Sequence, residues 1–93
     1  MSEMTKDRIP RLAPGCRFST AGGQEDLLLI PEGVLRLKGP ARIILELCDG
    51  ERAVGEIVQE LRRRYPSEDP ARIRTEALAF LTRMRDRGVL ESV

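Results

Sequence analysis

The sequence predicts an α+β domain, winged helix-turn-helix-like, with a three-stranded antiparallel sheet followed by three helices. Two observations carry this. Short apolar stretches separated by turn residues run up to Lys38, whereas from Gly39-Pro40 onward apolar residues recur every three or four positions. The last two helical stretches are separated only by Pro66-Ser67-Glu68-Asp69, a connection short enough for a helix-turn-helix beside a small sheet. A chain of 93 residues fits one core and not two.

Residues 1–15 are polar, broken by Pro10 and Pro14 and without a period. They are expected to form a flexible N-terminal segment ahead of a folded domain at 16–93. Residues 17–20, 27–30 and 34–38 read as strands, divided by Ala21-Gly22-Gly23 and by Pro31-Glu32-Gly33. Leu27-Leu28-Leu29-Ile30 is apolar throughout and is expected in the middle of the sheet, most buried. In the third strand Leu35 and Leu37 alternate with Arg36 and Lys38, which leaves one face or edge open to water.

Gly39-Pro40 supplies the start of a first helix, expected to run to about Cys48 before Asp49-Gly50 ends it. Val54, Ile57, Val58, Leu61 and Tyr65 then form one apolar stripe, stopped by Pro66. Asp69-Pro70 opens the third helix as N-cap and first helical residue. Gly88 closes it after Arg87, and Val89 and Leu90 are expected to fold back onto the core.

On the third helix, roughly 100° per residue places Ile73, Ala77, Phe80 and Met84 on one line, the expected core stripe. Arg74, Leu78, Leu81 and Arg85 form the neighbouring stripe, half apolar and half guanidinium. Either Leu78 and Leu81 widen the buried face while both arginines snorkel, or this stripe is one wall of a groove for an apolar, acidic ligand.

Composition narrows the chemistry. The chain has no histidine, which removes the commonest general base near neutral pH and the triads and metal clusters built on it. Glu46, Asp49, Glu51, Glu56 and Glu60 fall in ordinary surface patterns. No Walker-type loop or GxGxxG is present, and Cys16 and Cys48 lack companion ligands, so both are read as reduced thiols, with Cys48 buried. No catalytic residue, metal or cofactor is expected. Charges at Glu3, Lys6, Asp7, Arg8 and Arg11 and the lack of a long apolar run argue against a secretory or membrane segment, so a cytoplasmic protein is expected.

Leu28-Leu29-Ile30-Pro31-Glu32-Gly33, then Leu37 and Ala41, then Ile44-Leu45-Glu46-Leu47-Cys48-Asp49-Gly50, and Glu56-Ile57-Val58 with Leu61 and Tyr65-Pro66, resemble the PqqD family of pyrroloquinoline quinone (PQQ) biosynthesis. The likeness runs over about residues 10–92, and the PEG turn together with the DG-x5-EIV spacing is its most specific part. Lys38 replaces the usual asparagine before the first helix. Ala53 stands where Thr or Ser would cap the second, whose start is therefore expected to fray slightly.

The resemblance implies a peptide chaperone that binds a ribosomally made PqqA-type precursor peptide. It presents that peptide to a PqqE-type radical SAM enzyme for crosslinking of glutamate and tyrosine. In such recognition elements the peptide pairs with the exposed third strand and lies against the third helix, which is β-augmentation. Val34, Leu35, Arg36, Leu37 and Lys38 would then meet the peptide backbone, and Arg74, Leu78, Leu81 and Arg85 its side chains.

The rival reading is a winged-helix DNA-binding transcriptional regulator, with the third helix in the major groove. Sixteen Lys and Arg against 15 Asp and Glu leave a net charge of +1, little for a surface that tracks phosphates. No nucleic-acid or membrane partner is expected.

Overall fold

Over the residues that a computed structural model describes, 4–19 and 26–92, the chain forms five strands and three helices. Strands β2 (Arg17–Ser19), β3 (Asp26–Ile30) and β4 (Gly33–Leu37) make an antiparallel sheet in the order β2-β3-β4. Helices α1 (Ala41–Glu46), α2 (Val54–Arg64) and α3 (Pro70–Asp86) follow. Leu28, in the central strand, has no exposed surface. The Ala21-Gly22-Gly23 turn lies outside the described residues.

The N-terminal segment differs from the expectation of a flexible lead-in. Strand β1 (Pro10–Leu12) pairs antiparallel with β5 (Leu90–Ser92), and Met4 is buried in the core at 2% exposure. The segment also closes the start of α2. The Val54 N–H donates to the Arg8 carbonyl at 2.8 Å and the Gly55 N–H to the Lys6 carbonyl at 3.0 Å. The Glu56 carboxylate accepts from the Ala53 N–H at 2.8 Å, the half of a capping box that needs no side chain at the cap position. This helix start therefore needs no Ser or Thr at 53, and the expected fraying gives way to backbone donors with partners.

Helix α3 begins with the Asp69 carboxylate accepting from the Ala71 N–H at 3.0 Å, with Pro70 in the first turn. Past its last residue, Asp86, and the cap Arg87, the chain turns at Gly88, whose φ of 79° suits a residue without a Cβ. There the Val89 N–H donates to the Met84 carbonyl at 2.9 Å and the Gly88 N–H to that of Arg85 at 3.0 Å, a Schellman closure. The reversal sends Val89 and Leu90 back into the core, 1% and 3% exposed. Helix α1 is shorter than expected, ending at Glu46. Arg42 ties it to the sheet, bonded to Asp26 at 3.1 Å and stacked over the Phe18 ring at 4.8 Å.

The core that results joins Leu28, Ile44, Leu45, Val54, Ile57, Val58 and Leu61 to Ala77, Leu78, Leu81 and Met84 of α3. The inward face of α3 is thus centred on Leu81, which is fully buried, and not on Phe80, which is half-buried. At about 100° per residue these two faces differ by about one residue's turn, and both are apolar.

Candidate functional site

The hairpin joining β3 to β4 sets which way the edge backbone points. Its register pairs Ile30 with Gly33 across the two-residue turn Pro31-Glu32. In such a hairpin the closing pair is hydrogen-bonded, and bonded and non-bonded pairs alternate from there. The main-chain groups of Gly33, Leu35 and Leu37 therefore turn towards β3, and those of Val34 and Arg36 turn the other way. On that side β4 has no strand neighbour among the described residues. Val34 is 55% exposed and is the exposed large hydrophobic residue among those described.

Alternation along β4 sends Leu35 and Leu37 to the side of the sheet that meets the helices, where both are half-buried against the core. They form one wall of a groove of about 610 Å³. Its opposite wall is α3, through Ile73, Ala77, Phe80 and Met84, and its floor reaches Ile44 and Leu61. Tyr65 closes one flank. The rim is charged: Arg36 and Lys38 on the strand side, Glu76, Arg83 and Arg87 on the helix side, and Glu68 before α3. The Arg83 guanidinium lies over the Phe80 ring, 5.9 Å from its centroid.

Of the nine residues singled out from the sequence, the structure gathers Leu35, Arg36, Leu37 and Lys38 at this groove, with Val34 on the same strand. It does not bring the four helix residues there. Arg74 and Leu78 border a separate crevice with Met4, Thr5 and Lys6. Leu81 is in the core. Arg85 is half-buried, with its guanidinium 3.2 Å from Asp86. Between the two readings left open for this stripe, Leu78 and Leu81 widen the buried face, and the stripe expected to be core forms the groove wall. The physical reason is the N-terminal segment. Met4 covers the Leu78 side, its N–H donating to the Thr82 hydroxyl at 3.3 Å, and leaves the Phe80 side open.

Sequence reasoning missed Phe80, Arg83 and Arg87 as surface residues. A signal was present in their spacing, since 80, 83 and 87 follow one face of a helix that carries guanidinium groups at two of the three positions. The two cysteines are free thiols. Burial pushes Cys48 up to about 12, with the Asp49 charge adding to it. No helix among the described residues is long and apolar enough to cross a membrane.

A small winged helix-like domain with an edge strand beside an apolar groove is the architecture of a peptide-recognition module. The family model described as coenzyme PQQ synthesis protein D (PqqD) matches residues 25–90, and the chain belongs to this family. It is 40% identical over 92 residues to the PqqA binding protein of Azotobacter vinelandii, covering 98% of each chain. It is 44% identical over 82 residues to the PqqA binding protein of Pseudomonas aeruginosa strain UCBPP-PA14, covering 87% of each. Its fold is similar to the solution NMR structure of the PqqD truncation of Methylobacterium extorquens PqqCD, described as a functional, stand-alone recognition element for ribosomally synthesised and post-translationally modified peptides. That likeness has a TM-score of 0.76 at 32% identity, over 95% of this chain and 94% of the other.

Proposed function

We propose that this chain binds a PqqA-type precursor peptide as an added strand on β4, with the peptide's side chains in the groove between β4 and α3. It holds the peptide, in the cytoplasm and without catalysing a reaction itself, for a PqqE-type radical SAM enzyme that crosslinks a glutamate and a tyrosine. The observation that carries this reading is the juxtaposition of an edge strand with an apolar groove on its helix side. Main-chain pairing supplies affinity that does not depend on sequence, and alternate peptide side chains reach the groove to supply selectivity. The relatives named for PqqA binding support the choice of peptide.

Amide chemical shifts of the labelled protein, followed while a synthetic PqqA-type peptide is added, test the proposal. Residues 33–38 and 73–87 are expected to move together, with 54–58 unmoved. Duplex DNA in the same buffer is expected to move none of them. Perturbations confined to 54–64 would show that the peptide does not use this edge.

A further inference from the structure

Resting on the peptide-binding reading, we infer that Arg83 and Arg87 select a carboxylate side chain placed two residues from an apolar one. The two walls of the groove differ in charge, and the helix wall differs along its own length. Near the start of α3 the rim acid Glu76 is paired with Arg72 at 2.9 Å, and Glu68 also acts on Arg72. That end is compensated. At the other end Arg83 and Arg87 border the groove and have no ion pair among the described residues, so a carboxylate arriving at this rim has no protein acid to displace.

Between Glu76 and Arg83 the wall is apolar, through Ala77 and Phe80. Arg83 is held against the Phe80 ring, a cation–π contact that restricts where a guanidinium on a long flexible stem can go. An apolar peptide side chain on Phe80 is therefore met immediately by a positioned cation.

Spacing follows from the two periodicities. Along α3, at about 1.5 Å per residue, Arg83 lies about 4.5 Å and Arg87 about 10.5 Å beyond Phe80. An extended segment running along the helix advances about 6.6–6.8 Å over two residues, and residues two apart face the same side. Measured along the helix axis, the side chain two positions from the apolar anchor thus falls between the levels at which Arg83 and Arg87 leave the helix. Neutral side chains there leave both arginines solvated but gain nothing from them, whereas a carboxylate gains charged hydrogen bonds. Both arginines are exposed, so the effect is a rim effect, strongest on the association rate and weakened by salt.

The test is a two-by-two titration at low ionic strength. The proteins are wild type and the Arg83→Gln, Arg87→Gln double variant. The peptides are a synthetic PqqA-type peptide and its copy with every Asp and Glu changed to the amide. Wild type is expected to bind the acidic peptide about tenfold tighter than the amide copy. The double variant is expected to bind both alike, and an Arg83→Lys, Arg87→Lys variant to recover part of the preference. If the double variant keeps the full tenfold preference while the amides of 33–38 still shift, the selectivity inference is overturned and the groove reading stands. If neither peptide shifts those amides in the wild type, the groove reading itself falls.

Discussion

Replacing Met4 with alanine isolates what the N-terminal segment contributes to the fold. Met4 is 2% exposed and belongs to the main core cluster. Truncating a buried methionine to alanine costs about 2–5 kcal/mol, the transfer of the lost atoms plus the cavity left behind. The low end applies here, because chain ends fray and a cavity next to the surface can collapse or be reached by water. The expected loss is about 2 kcal/mol, a large share of the roughly 5–15 kcal/mol that holds a domain together. Urea unfolding followed by circular dichroism, fitted with a common slope for both proteins, measures it. Amide exchange at Val54 and Gly55 gives an independent reading, since their N–H groups donate to Arg8 and Lys6 in the same segment. Exchange there should accelerate in the variant. A change under about 0.5 kcal/mol, the range of an ordinary surface substitution, would mean that residues 4–9 are a loose lead-in after all.

Two further outcomes are expected. Arg36→Pro should abolish peptide binding and leave the fold intact, because the Arg36 N–H points away from β3 and proline is tolerated on that side of an edge strand. Arg36→Ala should weaken binding only modestly, and loss of the fold in the proline variant would show that the backbone parity is the reverse. With iodoacetamide at pH 8, Cys16 should be alkylated slowly in the native protein and Cys48 not at all, with both modified after denaturation. The Cys16 thiol is raised first by desolvation and then by Glu32, and burial pushes that of Cys48 up to about 12, so thiolate is scarce at pH 8, most of all at Cys48, and grows as pH rises. Comparable rates at the two cysteines in the folded protein would contradict the buried position of Cys48.

The elements from Arg17 to Gly88 were legible because local chemistry specifies them. The turn at Pro31-Glu32, the stripe on α2, the Asp69-Pro70 start and the Gly88 stop each act over a few residues, and each stands where sequence placed it. Strand β1 was not legible, since three residues beginning with proline show no period of their own and pair with β5, 80 positions away between Arg11 and Glu91. The choice of face on α3 was lost for the same reason. Phe80 and Leu78 lie about 160° apart around the helix, with Ile73, Met84, Ala77 and Leu81 in the arc between them and Arg74 and Arg85 beside Leu78, so the sequence of α3 alone allows either edge to be the buried one. What decides is a side chain outside the helix. With Met4 in the core the Leu78 edge is covered, and the Phe80 edge is left as the wall beside β4. A polar segment that anchors one apolar residue was therefore enough to move the groove by one helix face, and to exchange Arg74 and Arg85 for Arg83 and Arg87 as its cations.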